Sequence, residues 1–328
     1  MTRRRARTRR AQRSAGGEYS LDVAQQLLEG YGRDPQITDW VDSLEIFVVP
    51  LVNPDGNSAF IERSHWFTRK NGRDCDGDGV LDPFEGVDIN RNYPFGWSEA
   101  GSSARCTSRR FHGPAAGSEP ETRAMMQLAE RQRFAASISF HTVGTVIFWP
   151  YGVPSATHPE PDVAKAIAGA LIAGAPEQPN GRRYTQRHGL YPVSGGAHDW
   201  LMHAHGTIAF ILEGSNHNPP MPVRSEAVVS TRPVWKALLD HVAGGPRISG
   251  HVRDEQGRPI AAEVTVAEIT LSAGERWTAR PRDGRFDRVL HRAGRYTIEA
   301  SAPGFAVARE RVRLGERPAT VELVLSRE

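Results

Sequence analysis

Carboxylates at fixed intervals are the most specific chemical signal in this sequence. Residues 74–85 read Asp74-Cys75-Asp76-Gly77-Asp78-Gly79-Val80-Leu81-Asp82-Pro83-Phe84-Glu85, with carboxylates at positions 1, 3, 5, 9 and 12 and glycine at position 6. That is the spacing of an EF-hand-type calcium loop. Asp74, Asp76, Asp78, Asp82 and Glu85 would supply side-chain oxygens, and Val80 its backbone carbonyl. Pro83 disfavours a helix directly after the loop. The competing reading is a solvated acidic loop.

Three further segments carry reactive side chains. The first is Trp66-Phe67-Thr68-Arg69-Lys70-Asn71, followed by Gly86-Val87-Asp88-Ile89-Asn90-Arg91-Asn92-Tyr93. The second is Ser139-Phe140-His141. The third pairs Tyr191-Pro192-Val193-Ser194-Gly195-Gly196-Ala197-His198-Asp199-Trp200 with Phe210-Ile211-Leu212-Glu213. Each alone has an ordinary explanation: a solvated arginine, a structural histidine, a capping glutamate. Taken in order, with Asn53-Pro54-Asp55-Gly56 and Phe111-His112-Gly113, they resemble the A/B zinc carboxypeptidases from about residue 18 to residue 243.

The resemblance implies a role for each residue. Such an exopeptidase must hold a free C-terminal carboxylate, which a planar guanidinium binds through two hydrogen bonds. By position, Asn90 and Arg91 match the carboxylate clamp and Arg69 the group that stabilises the oxyanion. Tyr191 matches the mobile tyrosine that closes over the substrate. Glu213 matches the carboxylate that activates water and delivers the proton; its neighbours Phe210, Ile211 and Leu212 should raise its pKa. His198 falls at a pocket-floor position, where selecting the substrate side chain and a structural hydrogen bond are equally open readings. His141 matches a zinc ligand.

A catalytic zinc needs three protein ligands and one open position. Relatives supply two from a His-x-x-Glu segment, and here that stretch reads Ala15-Gly16-Gly17-Glu18. Glu18 can be the carboxylate ligand, but Ala15 stands where the histidine belongs. The strands that precede this segment in relatives are missing as well, which suggests a truncated or frame-shifted gene product. Cys106 occupies a position where relatives carry half of a disulfide, so the resemblance implies a Cys75–Cys106 bridge.

These side chains need a scaffold. Leu21, Ala24, Leu27, Leu28 and Tyr31 recur at helical spacing after Ser20, and Gly30 and Gly32 end that helix. Residues 44–52, LEIFVVPLV, read as a buried parallel strand, broken by Asn53-Pro54-Asp55-Gly56. Ser118-Glu119-Pro120-Glu121 is a capping-box start for a helix to about Arg131. Strands are expected at 135–141, 145–150 and 207–212, and helices at about 160–174 and 224–243. Alternating strands and helices imply an α/β fold with a mixed, mainly parallel sheet covered by helices. After Gly244-Gly245-Pro246 only short alternating strands follow, which read as a β-sandwich. Gly250-His251-Val252 and Gly257-Arg258-Pro259-Ile260 resemble the carboxypeptidase regulatory-like, transthyretin-type domain, a non-catalytic module. The expected division is an Arg-rich tail at 1–17, disordered or not authentic, an α/β domain at 18–244 and a β-sandwich at 247–328.

Composition narrows the function classes. The 328 residues carry a formal charge of +3, of which seven arginines in residues 1–13 supply +7, so the remainder is 3 − 7 = −4. An acidic body argues against nucleic acid as the partner despite the basic start. No run of about 18 apolar residues exists, so no membrane span is expected. The charged N-terminal stretch has no apolar segment behind it and is not a signal peptide. Secretion is nevertheless expected from the resemblance, the calcium loop and the bridge. The leading function is removal of C-terminal residues from peptides or proteins. The alternative is a non-catalytic protein that grips peptide C-termini.

Overall fold

Several helix starts in this chain carry a short polar cap or a proline. In the computed structural model, described for residues 15–62, 69–80, 82, 84–189, 191–214 and 222–328, α1 runs Ala15–Gly30 and α2 Pro35–Ser43. Asp34 caps α2 by accepting from the Gln36 and Ile37 amides at 2.9 and 3.3 Å, and Pro35 lies in its first turn. α3 (Pro54–Glu62) follows directly on Asn53. Then come α4 (Pro120–Gln132), α5 (Val163–Ala173), α6 (Ala197–His205) and α7 (Val223–Gly244). Asp162 caps α5 through the Lys165 amide at 2.8 Å. Gly206 ends α6 with φ at +69°, the left-handed conformation that glycine adopts without strain.

Four strands, β1 (Ala136–Thr142), β2 (Val146–Phe148), β3 (Thr185–Arg187) and β4 (Ile208–Gly214), form a sheet in the order β1-β4-β2-β3. β1 and β4 are parallel, as are β2 and β3, while β2 and β4 are antiparallel. The sheet is therefore mixed and mainly parallel, with helices over it, as the alternation of elements predicts. β4 is buried along Ile208–Leu212, which explains its unbroken apolar sequence. Six further strands complete the chain: β5 (Arg247–Asp254), β6 (Glu263–Val266), β7 (Arg285–Val289), β8 (Gly294–Ser301), β9 (Ala308–Leu314) and β10 (Ala319–Leu325). They make two three-stranded sheets, β10-β5-β7 and β6-β8-β9, closed face to face.

The sandwich is fused to the α/β part by a continuous core. Ile147, Phe210, Leu212 and Leu238 belong to the same buried cluster as Ile248, Val264, Phe286 and Ile298. At the seam the Arg276 amide donates to the His203 carbonyl at 2.8 Å, and Gly206 lies so close to Trp277 that a Cβ would fall 2.5 Å from the ring.

Several expectations are corrected. Residues 44–52 do not pair as a strand. They run extended beside β1 without joining its sheet, and Phe47, Val49 and Leu51 are exposed. An apolar run specifies burial, but pairing needs a neighbour within reach. The first helix begins five residues before Ser20, so residues 15–17 are its first turn rather than tail. The Ser118 capping box does not form: Glu119 is the cap residue, without a side-chain cap bond, and the Ser118 hydroxyl instead donates to Glu119 at 2.6 Å. Residues 1–14, Trp66-Phe67-Thr68, Leu81, Pro83 and the Ala15 side chain lie outside the described residues.

Candidate active site

The site sits where β1 and β4 end. In their parallel register His141 lies opposite Glu213, so both side chains stand at the carboxyl edge of the sheet, where open α/β sheets bind ligands. Gly144 makes room for Glu213, because a Cβ there would come within 2.8 Å of the glutamate Cβ. Glu213 Oε2 is buried with no hydrogen-bond partner. Burial pushes its pKa up to about 7, and Arg69 offsets part of that rise. Burial, reinforced by Arg69, takes His141 down to about 4, which leaves a neutral imidazole with Nε2 3.2 Å from the Ser139 hydroxyl.

A second cluster is organised by Asp88, which sequence reasoning assigned no role. Its carboxylate is buried and accepts from Arg69 Nε at 2.7 Å and from the Asn90 amide at 3.2 Å. It thereby caps the 3-10 turn Ile89–Arg91 and ties Arg69 to that turn. The Asn90 side-chain oxygen accepts from the Ala197 amide at 2.9 Å, fixing the turn to the start of α6. Arg91 is 5% exposed and donates to the Asn90 carbonyl at 2.6 Å, the Gly101 carbonyl at 3.4 Å and the Tyr191 hydroxyl at 3.1 Å. No carboxylate of the described residues lies within 4.0 Å of it. A buried guanidinium without a counter-ion favours an anionic guest.

His198 and Asp199 open α6. His198 Nε2 lies 3.1 Å from Asp199 Oδ1, while its Nδ1 is buried without a partner. Burial drives His198 down to about 3 and Asp199 up to about 7, although the Gly152 amide donates to both Asp199 oxygens. Asp199 is a second residue that sequence type alone did not reveal.

The acidic loop stands apart from this group. Asp74 accepts from the Gly77 and Gly79 amides at 2.7 and 2.8 Å, Asp76 from the Asp78 amide at 3.2 Å, and Asp78 from the Val80 amide at 2.7 Å. Glu85 folds back on the Cys75 and Asp82 amides at 3.0 and 3.1 Å. Cys75 and Cys106 are disulfide-bonded. Lys70 ties this region to Arg69: its buried ammonium donates to the carbonyls of Phe84, Cys106 and Ser108 at 2.6, 2.5 and 3.0 Å. Burial lowers its pKa to about 8.

Comparison with known proteins gives the family and the fold. Residues 11–226 match the zinc carboxypeptidase family, and residues 247–326 match the carboxypeptidase regulatory-like domain. The chain belongs to the zinc carboxypeptidase family. It is 31% identical to carboxypeptidase A1 of Bos taurus over 183 residues, which cover 54% of this chain and 42% of that protein. It is 29% identical to carboxypeptidase B of Homo sapiens over 180 residues, which cover 53% and 42%. The chain thus spans about half the length of the curated relatives it matches. Among solved structures it is similar in fold to bovine thrombin-activatable fibrinolysis inhibitor in complex with tick carboxypeptidase inhibitor. The TM-score is 0.60 at 21% identity, over 69% of this chain and 77% of that one. Carboxypeptidase A of Helicoverpa armigera gives 0.54 at 22% identity, over 70% and 56%.

The family implies a zinc ion, and the donor set tests that directly. Glu18, in the first turn of α1, forms an ion pair with buried Arg224 at 3.2 Å. Among the described residues, two groups of three His, Cys, Asp or Glu side chains bring ligand atoms within 4.8 Å of one another: Cys75, Glu85 and Cys106, and Asp74, Asp76 and Asp78. Neither contains Glu18, His141 or Glu213, and the two cysteines are spent in their disulfide. The described residues therefore do not fit a three-ligand zinc.

Proposed function

We propose that this protein is a metallocarboxypeptidase acting on the C-termini of peptides, and that this chain holds the complete carboxylate-recognition half of the site. The observation that carries the reading is Arg91, a buried cation whose partners are two carbonyls and a phenol. A terminal carboxylate matches its free donors, with the Asn90 amide nitrogen beside it. Tyr191, exposed and bonded to Arg91, covers the bound end. Arg69, held by Asp88, faces the scissile carbonyl and stabilises negative charge on its oxygen. Glu213 takes a proton from the attacking water and gives it to the leaving amine, a task suited to a carboxylate poised near neutrality.

Ala15 provides no lone pair where the resemblance requires a histidine, so zinc is held weakly. That observation favours a second reading, in which the chain binds C-termini without cleaving them. Calcium in the loop Asp74, Asp76, Asp78, Val80, Asp82 and Glu85, and secretion of the protein, are parts of the same proposal, supported by the loop spacing and the disulfide. The unit at 247–328 acts as support, in keeping with the core it shares with 18–244.

Zinc content by mass spectrometry, measured alongside hydrolysis of N-blocked dipeptides, tests the proposal. Stoichiometric zinc with turnover supports the enzyme. Binding of free-acid but not amidated peptides, without turnover, supports the second reading. Equal binding of both peptide forms rejects the carboxylate clamp.

A further inference from the structure

Arginines gather unmatched at one end of the sandwich. β8 and β9 are antiparallel, with Arg295 opposite Arg313, Thr297 opposite Arg311 and Glu299 opposite Arg309. Side chains alternate across a strand, so these six share one face. It is the outer face, since Tyr296, Ile298, Val312 and Leu314 between them are buried. Arg309 donates to Glu299 at 2.6 Å. Arg295, Arg311 and Arg313 are exposed, and no carboxylate of the described residues lies within 4.0 Å of them. The Tyr296 hydroxyl donates to the Arg292 carbonyl at 3.1 Å and holds the entering segment against β8. Arg292 and, just beyond β9, Arg317 are exposed too, and Glu316 is the acid among residues 291–295 and 311–317.

Like charges directly opposite each other on an antiparallel pair are destabilising. Elsewhere the sandwich matches them: Arg253 lies 3.9 Å from Glu322, Arg276 3.6 Å from Glu263 and Arg285 3.2 Å from Asp287. Protecting a sheet edge does not explain the exception. Charges with that purpose belong on the edge strand, whereas Arg295 is on β8, the central strand of β6-β8-β9. Charge is also shared unevenly along the chain. Residues 247–328 carry 15 arginines and 12 acids, 15 − 12 = +3, which leaves −4 − 3 = −7 for residues 14–246.

We propose that this face of the sandwich binds a linear acidic polysaccharide, one that carries sulfate or carboxylate groups along its length. Guanidinium forks suit both groups, and Arg311 and Arg313 repeat at about 7 Å along β9, with Arg295 alongside. The partner class follows from what the face lacks. Its outward residues are Arg, Thr, Glu and Ser, with no aromatic and no large apolar side chain. Nucleic-acid bases have nothing to stack on, a protein partner has no anchor, and acyl chains have nothing to bury. A polymer of fixed charges and hydroxyls needs none of these. The acidic α/β part repels the same polymer, so the chain docks by its sandwich. This surface lies outside the cleft, and the inference stands whether or not the chain cleaves peptides.

Residues 1–13 hold seven arginines of their own, so the test uses the full chain with those seven changed to serine. The probe is a fluorescent heparin octasaccharide, read by anisotropy at about 50 mM salt. Changing Arg295, Arg311 and Arg313 together to Gln should weaken binding about tenfold or more. Changing Arg253, Arg276 and Arg282 to Gln removes the same charge from matched positions and should cost less than about twofold. The first variant also loses a like-charge pair, so its Tm should equal or exceed the parent's, and unfolding cannot mimic the effect. No binding by the parent, or an equal loss in the two variants, overturns the proposal. Tighter binding of duplex DNA or of phosphatidylserine vesicles at equal anion concentration overturns the partner class. A dimer that forms without probe and dissolves in the first variant overturns it too, by making a second copy the occupant.

Discussion

Arg91 Nη2 donates to the Tyr191 hydroxyl at 3.1 Å, which joins a buried cation to a phenol that is 41% exposed. In the proposed function this contact would couple the carboxylate clamp to its cover. A guest carboxylate binding Arg91 would then compete for that donor and release the tyrosine.

Replacing Arg91 should therefore abolish discrimination between free-acid and amidated peptides. Arg91→Ala removes charge-assisted hydrogen bonds worth about 1.5–3 kcal/mol each, so affinity for free-acid peptides should fall at least about tenfold, and that for amidated peptides should not change. Tyr191→Phe loses only the phenol hydroxyl and leaves the guanidinium in place, so it should cost less, about fivefold. Isothermal titration with paired acid and amide peptides measures both; a parallel loss for the two peptide forms would contradict the clamp.

Glu213 links the site to acid stability. Its pKa rises from 4.5 to about 7 on folding, so between those values the folded state binds more protons than the unfolded state. Stability contributed by this group is complete below pH 4.5 and is lost as pH rises through 7. Glu213→Gln cannot titrate. The stability of the wild type relative to that variant should fall by about 3 kcal/mol between pH 4.5 and pH 8, as read by urea denaturation. Asp199, also raised to about 7, contributes with the same sign in both proteins and cancels in the comparison.

Lys70 holds three carbonyls, that of Phe84 from one loop and those of Cys106 and Ser108 from a second. Lys70→Met keeps the stem and leaves those acceptors unpaired, so the folded state should lose about 3 kcal/mol. Urea denaturation at pH 7 detects this; a change under 1 kcal/mol would mean that water replaces the ammonium.

Glu213 alone reads as a capping residue and stood out only through the order of the motifs around it; the fold sets it opposite His141 with one carboxylate oxygen buried and unpartnered. The acidic loop stood out by its spacing, and the fold adds a mesh of carboxylate-to-amide hydrogen bonds within it. Asp88 and Asp199 did not stand out, because an aspartate becomes an organiser only once its surroundings are buried, and burial is a property of the fold. Residues 44–52 failed in the opposite sense. Their composition is that of a strand, but a strand is a relation between two segments, and the second is not within bonding reach. α6 escaped notice because its sequence AHDWLMHAH is rich in histidine and lacks a clear apolar stripe.

Calcium should stabilise the Asp74–Glu85 loop and so the protein. At a hundred times the dissociation constant the gain is about 2.7 kcal/mol, visible as a rise in Tm on adding calcium. Glu85→Gln removes a bidentate ligand and should abolish the rise, whereas magnesium should produce little of it. An identical Tm with calcium and with chelator would remove calcium from the proposal.

Position 15 offers the sharpest test of the metal site. Gly16 lies against β1, with a Cβ there 3.3 Å from the Phe140 carbonyl, so the start of α1 abuts the strand that ends in His141. A histidine at position 15 would add an imidazole donor to the same first turn as Glu18. Ala15→His should raise zinc affinity by more than about tenfold in competition with a chromogenic chelator. His141→Ala in the same background should reverse the gain. If zinc binds Ala15→His no better than the parent, Glu18 and His141 do not converge on one ion. The pairing of Glu18 with Arg224 would then be its resting role, and the peptide-binding reading would stand in place of the hydrolytic one.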